Sequence, residues 1–304
     1  VSNEPDMSAS DTGLNSPSSS YRSEVWNLGY LSVRVFPPAL ARGLGKWGAY
    51  GYQWLRPSRR QTVFENLLPV FNGNTTEAAT ATRRLFMNFG RKLVDLWLFE
   101  TGRRVRMDAW SGWEHFQQVQ ARKLGVLLVT AHLGNWELGA PFLKERGVSL
   151  LVLTQAEPGR LTEMRQASRA RWGIETLVVG EDAFAFIEVI KRLQDGGTVA
   201  LLMDRPPKRT EVTVELFGRP FGASIAPAEL ARASGCSILP VYIAYGNKGY
   251  QAVGLPAVDY DRRALGKRDA RVELTQRIIQ ALAPAIREHA DQWYHFTPIW
   301  KKSL

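Results

Sequence analysis

From about residue 111 onward the chain alternates short apolar runs with stretches of helical periodicity, and this alternation limits its fold more than any other feature. The runs Val126–Thr130, Ser149–Thr154, Thr176–Val179, Thr198–Met203 and Ile238–Ala244 have the length of strands and the near-continuous apolar character of strands covered on both faces. Helical stretches separate most of them, at Glu137–Arg146, Leu161–Trp172, Asp182–Leu193 and Pro227–Ser234, and Arg271–His289 reads as a closing amphipathic helix. Strand alternating with helix implies an α/β fold with a largely parallel sheet flanked by helices. Residues 59–108 read instead as helices; in Glu77–Glu100 the residues Leu85, Phe86, Phe89, Leu93, Leu96 and Trp97 recur at helical spacing. The expected organisation is a disordered tail over 1–20, rich in Ser, Asn, Asp and Pro, and one domain over 21–304. That domain divides into an N-terminal helical part (21–110) and an α/β part (111–304).

Charge narrows the partners. A net +10 over 304 residues implies an anionic one: nucleic acid, an acidic membrane or a phosphorylated substrate. Basic residues are spread through the chain and form no recognition helix, so nucleic acid is not expected. The single cysteine, Cys236, lies in the apolar stretch GCSILPV and reads as a buried thiol; it excludes an internal disulfide framework and a Cys-based zinc cluster. The four histidines, His115, His132, His289 and His295, include no pair at metal-ligand spacing, so no metal is expected. No secretory signal is evident in the first twenty residues. No apolar run reaches the length of about 18 that a spanning helix needs.

Within Trp26–Leu55, the residues Leu40, Leu44, Trp47, Gly51, Trp54 and Leu55 form an apolar stripe, with Arg42, Lys46, Gln53 and Arg56 largely opposite. Two readings stay open: a helix lying in a membrane interface, or one packing its stripe on the core with a solvated basic face. GLGKWG at 43–48 fits a dinucleotide fingerprint only formally, because no strand precedes it. GASIA around Ser224 lacks the last glycine of a nucleophile elbow.

The stretch VLLVTAHLGNWELGAPFL carries the chemistry. A buried strand ends near His132 and a helix begins near Asn135. On a continuous helix His132 and Glu137 would face about 140° apart, so the spacing demands a turn that sets both above the carboxyl ends of the strands. A histidine suits proton removal from a hydroxyl near neutral pH, and a carboxylate on its second nitrogen fixes the tautomer. Gly134 allows close backbone approach, and amides at the helix start, from Asn135 onward, are candidates to face an oxyanion.

HLGNWE resembles the His-(four residues)-Asp/Glu motif of glycerolipid acyltransferases, and more specifically the bacterial lipid A biosynthesis acyltransferases of lauroyl or myristoyl type. The resemblance spans about 25–300 through RQTVFENLLPVF, VALLMDRPPKRTEVTVELFGRPFGASIAPAELARASGCSILPVYI and DQWYHFTPIWK. Phosphatidylinositol-mannoside acyltransferases share these blocks, so the acceptor stays open. The resemblance implies that His132 is the general base with Glu137 as its orienting partner. It implies that Arg169, or the nearby Arg171, contacts a phosphate, and that Asp204 and Arg219 belong to the substrate site. It further implies an acyl carrier protein or coenzyme A thioester as donor and a glycolipid acceptor. An anionic membrane surface follows too, at the cytoplasmic face of a bacterial inner membrane with peripheral or monotopic attachment, and no cofactor. Two non-enzyme alternatives, a basic nucleic-acid binder and a non-catalytic membrane binder, would not depend on His132.

Overall fold

The computed structural model describes residues 23–154, 160–178 and 183–301. The tail expected over 1–20 and the expected element ends Val179 and Asp182 lie outside the described residues.

The N-terminal part is helical: α1 (Ser23–Val35), α2 (Pro38–Leu55), α3 (Pro57–Leu67) and α4 (Thr75–Glu100). Pro38 and Pro57 take first helical positions, where the missing N–H is no loss. Asn74 starts α4: its side chain accepts the Thr76 and Glu77 amides at 3.1 and 3.2 Å and donates to the Glu77 carboxylate at 2.7 Å. At 26 residues α4 is about 39 Å long, and most of its second half is buried.

The α/β part runs β1 (Met107–Ser111), α5 (Trp113–Ala121), β2 (Val126–Thr130), α6 (Gly139–Glu145), β3 (Leu150–Thr154), α7 (Leu161–Arg171), β4 (Glu175–Val178), α8 (Ala183–Gln194) and β5 (Thr198–Leu202). It continues through β6 (Glu211–Leu216), β7 (Arg219–Ser224), α9 (Ala226–Ser234), β8 (Ser237–Tyr245), β9 (Tyr250–Gly254) and α10 (Arg268–Glu288). Seven strands form one sheet in the order β1-β9-β8-β2-β5-β3-β4, and β6 and β7 form a separate hairpin. Neighbours in the large sheet are parallel except β8 and β9. The five expected strands are present within a residue or two of their expected ends. β1, β9 and the hairpin were not expected, and the expected helix Glu137–Arg146 is instead a 3-10 turn, Trp136–Leu138, followed by the short α6.

β2 lies near the centre, paired in parallel with β5 and β8, and four of its five residues are buried. Its register with β5 sets Val126 beside Thr198 and Thr130 beside Leu202. Continued two residues past the strand ends, that register brings position 132 alongside position 204. The amide of Met203 bonding to the Thr130 carbonyl at 3.0 Å shows that the alignment persists.

Helix α2 corrects the core-packing reading of the Leu40–Leu55 stripe. Leu40, Leu44, Trp47, Trp54 and Leu55 are exposed, whereas Ala41 and Gln53 are buried. The helix meets α4 through small residues: at Gly45 and Gly90 the backbones approach so closely that neither position has room for a Cβ. Arg42, placed on the solvated side by the sequence, reaches the buried Asp95 at 2.6 Å. Close helix crossing selects small side chains, so the large apolar ones were left facing outward. Leu28, Leu31, Val35 and Phe36, from α1 and its end, are exposed as well. No described helix is long and apolar enough to cross a membrane.

The crossing gives a stability test. Gly90→Ala should destabilise the fold by about 1–3 kcal/mol, because its methyl group meets the Gly45 carbonyl and Ala49. Gly48→Ala, on the same helix as Gly45 but with open space at Cβ, should stabilise by about 0.5–1 kcal/mol. Urea unfolding with unchanged m-values would show both.

Candidate active site

β2 delivers the chain to His132, and the next three residues are shaped by packing. Gly134 has φ +62° and lies against the Ile243 carbonyl of β8, where a side chain would collide. Its amide donates to the Gln292 carbonyl at 2.8 Å, and the Asn135 amide to Ile243 at 2.9 Å. Both amides are therefore spent within the fold, and the expectation that the Asn135 amide faces an oxyanion is corrected. The Asn135 side chain is also internal: fully buried, it donates to the Tyr250 hydroxyl at 3.3 Å.

The partner of the histidine is Asp204, not Glu137. His132 Nδ1 lies 2.7 Å from Asp204 Oδ1, and the His132 amide donates to Oδ2 at 2.8 Å. Oδ2 also accepts the Trp293 indole at 2.9 Å and faces His295 Nε2 at 2.9 Å. The linear five-residue spacing suggested a pair, but the β2–β5 register decides which carboxylate reaches the ring. Asp204, expected in the substrate site, lies behind the histidine, with its side chain wholly buried.

Burial alone would push the Asp204 carboxyl up, but His132 and His295 hold it well below the usual carboxylate range. An anionic acceptor requires both rings to donate, so His132 carries its proton on Nδ1 and leaves Nε2 bare. Burial and the neighbouring Arg205 guanidinium outweigh Asp204 and lower the His132 pKa to about 4. The His295 pKa is also lowered, chiefly by burial. The His132 side chain remains 17% exposed while that of His295 is 1% exposed, so only the first meets solvent. Trp136 stands edge-to-face with His132, ring centroids 4.8 Å apart.

Glu137 belongs to a second cluster. Its carboxylate pairs with Arg165 and, at 2.8 Å, with Arg169. Burial would raise its pKa, but Arg165, Arg169 and Lys92 hold it far below the ordinary range. Lys92 is itself buried, its Nζ 3.5 Å from the centre of the Trp136 ring. Arg165 also faces Glu100, which accepts from Trp26 and Tyr30 at 2.7 and 3.0 Å. Arg169 thus sits beside Glu137, at the edge of the candidate site. Arg171 lies elsewhere, donating to the last carbonyl of α4, that of Glu100, at 2.6 Å. Arg219 is exposed at the start of β7.

Sequence reasoning missed His295, Trp293, Arg205, Arg165 and Lys92. Arg165 was within reach, since it precedes Arg169 by one helical turn. His295 lies 91 residues from Asp204, and no local pattern joins them. His132, Asp204 and His295 are also the one cluster among the described residues with metal-ligand spacing. Their closest links are hydrogen bonds, and an ion would have to replace those protons.

A family model described as bacterial lipid A biosynthesis acyltransferase matches residues 19–302. Phosphatidylinositol mannoside acyltransferases from two Mycobacterium tuberculosis strains are each 28% identical over 195 residues, covering 64% of this chain and 60% of the relative. The match thus spans less than two thirds of those relatives' length. The protein of that name from Mycolicibacterium smegmatis is 23% identical over 291 residues, 92% of this chain and 93% of the relative.

The buried triad predicts acid sensitivity. In the unfolded chain both histidines take up protons below about pH 6.5, whereas in the fold they resist until well below that. Stability should therefore fall as pH drops from about 6.5 toward 4, and further as Asp204 is protonated. Thermal unfolding from pH 8 to 4 would measure it; a flat melting temperature over pH 6.5–4.5 would contradict the neutral assignment.

Proposed function

The chain belongs to the bacterial lipid A biosynthesis acyltransferase family, and from that premise we propose that it moves a fatty acyl chain from a thioester to a hydroxyl of a membrane glycolipid. The observation that carries the reading is the partly exposed imidazole whose Nδ1 is fixed on a buried anionic carboxylate while Nε2 is left bare. In this reading the acceptor hydroxyl gives its proton to His132 Nε2 as its oxygen attacks the thioester carbonyl. Asp204 stabilises the imidazolium so formed. The carbon–sulfur bond then breaks, and the proton passes from His132 to the departing thiolate. No acyl-enzyme intermediate intervenes.

The donor is an acyl carrier protein or coenzyme A thioester, and the acceptor a lipid A precursor or similar glycolipid. A second acceptor, a phosphatidylinositol mannoside, is favoured by the names of the three relatives, one of which matches over 92% of the chain. Glu137 serves by holding Arg165 and Arg169 in place beside the site, where their charge favours an anionic headgroup. The exposed Leu40, Leu44, Trp47, Trp54 and Leu55, with Lys46 and Arg60 stacked near Trp47 and Trp54 at 5.7 and 4.5 Å, suit an anionic membrane interface. Peripheral attachment at the cytoplasmic face of a bacterial inner membrane is the corresponding location.

Purified protein incubated with acyl carrier protein and coenzyme A thioesters and membrane lipid should give an acylated lipid seen by mass. His132→Ala should abolish the product, and Asp204→Asn should slow it about 10³-fold or more. Product formation unaffected by His132→Ala would sink the base assignment, and no product with any donor would sink the reading. Trp47→Asp with Trp54→Asp should reduce sedimentation with vesicles of anionic phospholipid at least tenfold; unchanged sedimentation would remove these helices from the docking surface.

A further inference from the structure

The segment that carries Trp293 and His295 to Asp204 is held by side chains from the N-terminal helices: Arg59 of α3 donates to the Phe296 carbonyl at 3.4 Å, and Asn66 makes most of the bonds. Asn66, near the end of α3 and 3% exposed, donates from Nδ2 to the carbonyls of His295 at 3.1 Å and Thr297 at 2.8 Å. Its Oδ1 accepts the Ile299 amide at 3.3 Å, and its backbone carbonyl accepts the Trp300 indole at 3.1 Å. Both amide hydrogens and the amide oxygen are used. The reversed amide would press its oxygen against two carbonyls, so its orientation is fixed.

The same segment is tied to the site loop by the Tyr294 amide on the His132 carbonyl at 2.9 Å, and to β7 by the Lys301 amide on the Pro220 carbonyl at 3.0 Å. Arg205 also rests on it, donating to the Tyr294 carbonyl at 2.8 Å. Asn66 grips the stretch between these ties, starting at the carbonyl of His295 itself.

We propose that Asn66 is a positioning residue for acyl transfer: by holding the backbone of 295–299 it seats His295 on Asp204, which keeps the His132 ring in its Nδ1–H form. The proposal rests on the reading of His132 as the general base. The charged and titratable groups acting on the His132 ring are Asp204, Arg205 and His295, and two of them, Arg205 and His295, take their place from this segment. If the segment slackens, Asp204 loses a donor and concentrates more of its charge on His132, while Arg205 moves off. Both changes favour the imidazolium.

The test uses full-length protein labelled with ¹⁵N-histidine, read by ring NMR, together with the acyl-transfer assay. Asn66→Asp keeps the size and the acceptor for Ile299 but removes both donors. It should raise the His132 titration, and the acid limb of kcat/KM, from near 4 toward 6.5, with kcat lowered about 10- to 100-fold and the acceptor KM within about 2-fold. Thr82→Val, which removes a buried hydroxyl bonded inside α4 at 2.8 Å, is the control for plain destabilisation and should leave both titration and limb in place. If Asn66→Asp lowers only the melting temperature, and the His132 titration and the kcat of the folded fraction stay at wild type, the proposal is overturned. If His132→Ala retains activity, the base reading fails instead; the ring titration needs no substrate and still decides the role of Asn66. Should Asn66→Asp not fold, Asn66→Ser removes both Nδ2 bonds without adding a charge, and an unmoved His132 titration in that variant also overturns the proposal.

Discussion

The carboxylate of Asp204 is the point on which the site depends. Moving such an anion out of water costs several kcal/mol unless donors replace its hydration. Four nitrogens do so here, two from His132 and one each from Trp293 and His295. They come from the end of β2, beside the strand that leads to Asp204, and from a segment nearly a hundred residues later. The anion therefore joins distant parts of the chain, and only the assembled fold can hold it charged.

A second ionic cluster has a different task. Glu137, Glu100, Arg165 and Arg169 join α7, α4 and the loop after β2 across a partly buried interface. Such a network brings little net stability, because desolvation offsets most of the attraction. It does fix geometry: removing one member would leave an uncompensated charge. The result is a rigid, charge-balanced flank beside an imidazole that is itself held neutral.

Much of this was legible in the sequence, and the limits have physical causes. Unbroken apolar runs revealed the strands of the parallel sheet, and the strand-to-loop junction revealed His132. Proximity in sequence then pointed to Glu137, while proximity across the sheet belonged to Asp204. The register that pairs them was implicit in VLLVTAH and TVALLMD, once those two strands are known to be neighbours. The stripe on α2 was correctly periodic, yet periodicity does not say which side faces inward; Gly45 against Gly90 does. The hairpin of β6 and β7 was hidden by its charged lead-in, PPKRTE, and by the turn at Phe217 and Gly218, where both residues have positive φ. His295 and Asn66 act through tertiary contacts, which no local pattern encodes.

The parallel alignment of β2 and β5 separates the pairing of His132 and Asp204 from everything between them. Sixty or more residues of crossover, with two further strands and three helices, loop out and return without affecting the distance between ring and carboxylate. Lengthening a connection there would leave the pair intact so long as both strands keep step. A slip of one residue in β5 would instead turn the carboxylate to the opposite face of the sheet. The contact of ring and carboxylate is thus insulated from loop length and vulnerable to phase, so the crossover can be reshaped without disturbing it.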